Sequence, residues 1–283
     1  MARRKQATAR QERLGSELRK LREAAGLKGL EAAALLGTDS AQISQIEFGT
    51  AGVSEDRVRR LAAQYSCTDD ELIEALVAMA TDRTHGWWEE YRGLLPTSFL
   101  DLSELEYHAN YRWDVEFLHI PGPLQTEDCA RALFSSRVPE LPESELELRV
   151  RHRMQRRVIF EGPQPAPYQA LIHEAALRIK VGGRAAMRVQ LARILELSDA
   201  EHITVRVIPF DLDSFADTGS AMVYVGGAVA KLDTVVRDAP HGAVFIDSEA
   251  QLGVFRTHFR RVEGVALDPE RSRELIHRLA KEL

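Results

Sequence analysis

Two glutamines and two serines on one short segment are the residues of this chain whose types and spacing best suit them to read another molecule. In residues 40–47, SAQISQIE, Ile43 and Ile46 lie three apart, a spacing that turns both inward on a helix. Ser40, Ala41, Gln42, Ser44 and Gln45 are then left facing outward. A glutamine amide carries a donor and an acceptor that match N6 and N7 of adenine, and a serine hydroxyl can meet a base edge or a phosphate. Gln42, Ser44 and Gln45 are therefore candidate base readers, and Arg22, Lys28 and Ser40 candidate holders of the phosphate backbone. The chemistry implied is recognition of double-stranded DNA.

Such a face needs elements to aim it. Leu18, Leu21, Arg22 and Ala25 recur at helical spacing and predict a helix over 11–25, stopped by Gly26. An Ala/Leu-rich helix over 30–36 ends at Gly37. Asp39 caps the next helix, with Gln42 completing a capping-box pattern. Two short helices joined by a glycine-bearing turn form a helix-turn-helix signature, whose second helix enters the major groove. Ser54 caps a fourth helix to about residue 65, and Thr68 a fifth carrying Leu72, Ile73, Leu76, Val77 and Met79. This predicts an all-α, five-helix domain over 11–80, a basic mobile arm over 1–10 and a linker over 81–86.

These residues resemble the lambda-repressor/Cro-like, or XRE-type, regulators. The matching positions are Leu14, Leu18, Leu21, Arg22, Gly26, Leu27, Leu36, Gly37, Ile43, Ser44, Ile46, Glu47, Gly49, Leu61 and Ala62. The family usually opens its second helix with a Ser/Thr cap and a Gln that clamps the backbone, where this chain has Lys28 and Gly29. It often has Arg or Lys in the recognition helix, and residues 40–47 have neither. Both departures point to a dimer, to help from elsewhere in the chain, or to modest affinity.

The 283 residues suggest two domains, and 45% hydrophobic with 28% charged residues is ordinary for a globular protein. A net charge of −6 excludes a generally basic nucleic-acid coat. Residues 1–28 nevertheless carry nine Lys/Arg against three Glu, which reads either as a phosphate-holding arm or as a solubilising start. Cys67 and Cys129 alone give no disulfide frame and fit a reducing cytoplasm. There is no apolar run long enough to span a membrane and no signal-peptide core, so the expected location is cytoplasmic, on the nucleoid when bound to DNA.

Residues 87–283 read as an α/β domain, a mixed sheet with flanking helices. Of Trp87 and Trp88, which cannot share a helix face, one is expected on the core. A helix through Phe99, Leu102, Leu105 and Ala109 precedes an extended stretch, 111–120, with Tyr111, Trp113, Val115 and Phe117 on one side. Thr126 caps a helix to residue 134. A long helix over 144–160 follows, with Leu146, Val150, Met154 and Val158 as its buried stripe. Its Arg149, Arg151, Arg153, Arg156 and Arg157 read either as a surface for nucleic acid or acidic protein, or as a solvated face paired with Glu143, Glu145 and Glu147. Beyond the Pro-rich 163–167 come strands at 168–172 and 203–208 around a helix at 185–198. Strands at 221–225 and 228–232 are expected to form a hairpin through Gly226-Gly227, with an edge strand at 244–246. Helices over 249–262 and from Asp268-Pro269 close the chain.

This half also resembles the C-terminal domain of unknown function that follows XRE-type motifs in many actinobacterial, WhiJ-like regulators. The resemblance rests on residues 121–126 with Ala130-Arg131, 173–177 with Gly182-Gly183, Gln190-Leu191, 205–210, and Leu267 with Ser272-Arg273. The family usually has two leucines after the Pro-Gly, where this chain has Pro123-Leu124, and a Tyr near Cys129. The resemblance implies a regulator, sometimes antitoxin-like, often encoded beside a small acidic partner protein.

No catalytic, cofactor or metal motif emerges. His173-Glu174 lacks the second His of a zinc helix, since Leu177 stands there. Asp211, Asp213 and Asp217, with Gly219 nearby, miss the calcium-loop spacing. Gly182-Gly183 lacks a following Lys-Ser/Thr, and Ser214, Ser220 and Ser248 lack a nucleophile elbow. The expectation is a non-enzymatic, sequence-specific regulator acting as a homodimer, whose second domain dimerises and takes a small partner protein or an effector. An antitoxin-like protein with autoregulatory DNA binding is the first alternative, and a metabolite- or nucleotide-processing enzyme in the second domain is the other.

Overall fold

The computed structural model describes residues 7–161, 165–212, 221–239 and 242–283. Residues 1–6 of the expected basic arm, and Pro163, Asp213, Ser214, Asp217, Gly219 and Ser220 among those named above, lie outside the described residues. The chain divides into two compact units, residues 1–87 with 228–231, and residues 88–227 with 232–283.

The first unit is helical. Thr8 and Gln11 cap each other reciprocally, Thr8 Oγ1 accepting from Gln11 N at 3.3 Å and Gln11 Oε1 from Thr8 N at 3.1 Å, so α1 (Ala9–Ala24) starts two residues before the expected position. The helix α2 (Gly29–Leu36) stops at Gly37, which takes the left-handed conformation, φ 71°, that such a stop requires. Asp39 Oδ1 then accepts from Gln42 N at 2.7 Å and starts α3 (Ser40–Glu47). Ser54 caps α4 (Glu55–Gln64). The cap of α5 (Asp70–Thr81) is Asp69 rather than Thr68, its carboxylate accepting from Leu72 N at 3.1 Å. A full negative charge suits the positive end of a helix better than a hydroxyl does. Leu18, Ala32, Ala33, Ile43, Ile46, Val58, Leu61, Leu72 and Leu76 form the interior.

A 3-10 turn, Trp87–Tyr91, lies at the start of the second unit's sequence, and its Trp88 and Tyr91, which belong to that unit, are buried. In chain order follow α6 (Thr97–Tyr107), β1 (Tyr111–Glu116), α7 (Glu127–Ser135), α8 (Glu143–Gln155), β2 (Tyr168–His173), the short α9 (Glu174–Arg178), α10 (Gly183–Leu197), β3 (Ile203–Ile208), β4 (Met222–Gly226), β5 (Thr234–Ala239), β6 (Gly242–Ile246), α11 (Glu249–Val265) and α12 (Pro269–Glu282). The six strands are ordered β3-β2-β1-β4-β5-β6, with β1, β2 and β3 parallel and β4, β5 and β6 antiparallel. The parallel pairs require crossovers, which α7 with α8, and α9 with α10, supply. Ala170 and Ile172 of β2 pack with Met187, Leu191, Ile194, Leu275 and Ile276 on one face of the sheet. Val115, Leu171, Met222, Tyr224 and Val235 pack with Leu252, Phe259 and Val262 of α11 on the other.

Three expectations change here. The helix over 144–160 breaks into α8 and a 3-10 turn, Arg156–Phe160, which turns Val158 outward and Ile159 and Phe160 inward. The stretch 111–120 is strand only as far as Glu116. The two-residue hairpin at Gly226-Gly227 does not form, because β4 keeps Gly226 paired with Tyr111 and β5 starts only at Thr234. Asp233, buried at the head of β5, fixes this longer connection: it accepts from Gly227 N at 3.0 Å, Tyr111 OH at 3.0 Å and Tyr224 OH at 2.6 Å.

The crossing of α1 and α3 leaves no room at Gly15, where an added Cβ would lie 2.4 Å from the Glu47 carbonyl oxygen and 2.5 Å from that of Ile46. Gly15→Ala is therefore expected to destabilise the helical unit by about 1–3 kcal/mol, as overpacking does, measured by urea unfolding. A change under about 0.5 kcal/mol would contradict so tight a crossing.

Candidate nucleic-acid interface

The pose of α3 is set from its buried side and its end. Ile43 and Ile46 are buried, and Glu47, its last residue, receives Arg22 Nε at 2.6 Å and Nη2 at 2.8 Å. Arg22 Nη1 donates to the Leu27 carbonyl at 2.7 Å. Bonding to Glu47 holds the guanidinium above its usual pKa, and burial pushes the adjacent Tyr65 hydroxyl up to about 12. The phosphate contact expected of Arg22 does not fit this placement: the residue is 9% exposed and its donors are spent on Glu47 and Leu27.

The other candidates stand on the opposite side. Ser40, Ala41, Ser44 and Gln45 are exposed, and Gln42 is half-buried. Gln42 gives only its backbone N–H to Asp39; its side chain does not return to close the expected capping box. The Gln45 carbonyl accepts from Thr50 N at 2.9 Å and Ala51 N at 3.1 Å, which orders the loop leaving the helix and spends no side-chain group. Among the described residues the amides of Gln42 and Gln45 have no protein partner, so their donors and acceptors are available. Lys28 is the N-cap of α2, its backbone N–H bonded to Glu31 at 2.6 Å, with its side chain exposed. Glu31 Oε2 thus accepts from the start of the helix, whereas the Lys28 side chain, which has no acceptor, makes no cap bond.

Of the basic start, four described cations besides Arg22 are paired. Arg10 pairs with Asp82, Arg13 and Lys20 with Glu17, and Arg19 with Glu23. Exposed cations of the helical unit with no acidic partner among the described residues include Lys28, Arg57 and Arg60. The last two escaped the sequence reading, although the first turn of α4 holds two acids, Glu55 and Asp56, and only Arg59 has Glu55 as a partner.

Residues 13–76, from within α1 to within α5, match the model of a helix-turn-helix domain. Residues 99–278 match the family model described as a domain of unknown function, DUF5753. The chain belongs to the DUF5753 family. No curated protein and no solved structure matches it. The paired matches make this DUF5753 protein a two-domain chain with a DNA-binding type of N-terminal domain. Among the described residues, no helix is long and apolar enough to cross a membrane.

The DUF5753 domain holds a charged group that the sequence reading missed. Arg112 and Asp114 of β1 are each 1% exposed and joined at 2.8 and 2.9 Å. Arg112 also bonds Glu106 of α6, whose carboxylate takes Arg156 Nε at 2.9 Å and Nη2 at 2.5 Å. Tyr168 OH donates to Asp114 at 2.7 Å. Arg153 donates to Gln125 Oε1 at 2.8 Å and lies over the Phe134 ring. Burial and the neighbouring Arg156 lower its pKa to about 9. Arg149 pairs with Glu145, as one of the two readings had it, but is buried rather than solvated, and Arg156 looks inward. His173-Glu174 serves structure: His173 caps α9, and Glu174 accepts from Phe210 N at 3.0 Å.

Burial, with the Asp114 and Asp238 charges, pushes the Glu116 carboxyl up to about 8, from 4.5. The stability tied to its protonated form is full below pH 4.5 and is lost as pH rises through about 8. His152 acts oppositely: burial, Arg156 and Arg153 lower its pKa from 6.5 to about 3, so its share is lost only as pH falls below 6.5. Between about pH 6.5 and 8, then, stability should fall by on the order of 1 kcal/mol per pH unit, and Glu116→Gln should flatten that slope in urea titrations. An unchanged slope would contradict the assignment. Arg22→Ala, which leaves Glu47 unpaired, is expected to cost about 3 kcal/mol, against under about 0.5 for Ser44→Ala.

Proposed function

We propose that the chain is a sequence-specific, double-stranded-DNA-binding transcriptional regulator of the XRE type. The observation that carries this reading is the outward face of α3, whose Gln42 and Gln45 amides have no protein partner among the described residues while its opposite side is anchored in the helical core. Gln42, Ser44 and Gln45 read base edges, with Ala41 between them. Lys28, Ser40 and the exposed Arg57 hold phosphates. So few cations on one copy give modest affinity, and a homodimer on two half-sites doubles the contacts. The DUF5753 domain provides the dimer contact and takes an effector or a small, acidic partner protein encoded nearby, as the resemblance to WhiJ-like regulators implies. No catalytic step belongs to this reading, and the site of action is the cytoplasmic nucleoid.

Binding of the purified chain to the DNA upstream of its own gene, followed at two salt concentrations, tests it. Specific retention of that duplex is expected, with Lys28→Ala reducing the slope of log affinity against log salt by about one. Gln42→Ala is expected to cost about 1–3 kcal/mol at one base position. A binding profile unchanged at every operator position would remove Gln42 from the reading face.

A further inference from the structure

The face that α3 offers is uncharged along its whole length and ends in an exposed ring. Ala41, Gln45 and Phe48 stand at i, i+4 and i+7, with Ser44 beside them; Ala41, Ser44 and Gln45 are exposed, and Phe48 is 62% exposed. A large ring left in water directly after a helix that is otherwise anchored inward is a surface awaiting an apolar contact. No Arg or Lys lies within residues 40–47, and the nearest guanidinium packed on the helix, Arg22, is held by Glu47 and Leu27. In the major groove guanine is read chiefly by Arg or Lys at O6 and N7, adenine by Gln or Asn at N6 and N7, and the thymine 5-methyl by apolar groups such as Ala and Phe.

We propose that this face selects A·T over G·C pairs in the major groove, with Gln42 and Gln45 taking adenines and Ala41 and Phe48 packing on thymine 5-methyl groups. The inference rests on the DNA-binding reading above and narrows its target to half-sites rich in A·T at the contacted positions. An unneutralised guanine edge opposite a glutamine amide or a methyl group leaves its two acceptors without a charged donor, which disfavours G·C there.

The test selects duplexes from a random pool with the full-length chain, then replaces thymine by deoxyuridine, which lacks the 5-methyl, in the preferred duplex. A·T pairs at the contacted positions are expected, with a loss of affinity of about fourfold for each buried methyl removed. Phe48→Ala, checked for an unaltered unfolding midpoint, should bind the thymine and uracil forms alike at one position. Gln45→Arg should move one position from adenine toward guanine. Selection of G·C pairs at the contacted positions, or affinity indifferent to uracil, would overturn the inference while leaving DNA binding intact. Failure to prefer any duplex would overturn the DNA-binding reading itself, and this inference with it.

Discussion

The guanidinium of Arg22 decides where the third helix points. It joins α1 to the last residue of α3 through both oxygens of Glu47, and to the turn after its own helix through the Leu27 carbonyl. The pair is largely out of water, so its strength lies less in net stability than in the cost of breaking it. Close contact of Gly15 with the Ile46 and Glu47 backbone brings the same two helices together. With the inner side of α3 committed to Ile43, Ile46 and Glu47, the remaining residues have nowhere to turn but outward. The outward face proposed to read DNA is a consequence of how its back is held.

The second domain repeats the theme with more charge. The strand β1 lies in the middle of the sheet, between β2 and β4, so both its edges are paired. Aromatic residues fill one face, Trp113 stacking on Phe259 at 4.6 Å between centroids. The other face carries Arg112 and Asp114, which are tolerable there only because Glu106, Arg156 and Tyr168 complete their bonding. Such a network ties α6, β1, β2 and the turn after α8 into one arrangement, and a charge missing from any of them would leave another stranded.

Local chemistry was legible in the sequence, and long-range placement was not. Asp39, Ser54, Thr126 and Asp268 announce helix starts, and each caps the helix expected of it, because capping depends on residues three apart. The alternation of 203–208 gave β3 with its limits. The same alternation over 111–120 gave the strand as far as Glu116 but not the burial of Arg112 and Asp114 on its polar side, since one stretch of sequence cannot reveal that its strand will be central in a sheet. Arg22 looked like a phosphate holder because its partner Glu47 lies 25 residues away, a pairing no periodicity encodes. Gly226-Gly227 carries a strong local turn signal, and Asp233 with its three donors outweighs it.

The claim that matters most is that DNA lies against the outward side of α3. A photocrosslinking side chain placed at exposed Ser44, and separately at Val189, which is 56% exposed on α10, would locate the duplex directly. Crosslinks to bound DNA from position 44 and none from position 189 are the expected result. Crosslinks from position 189 with none from position 44 would contradict the account.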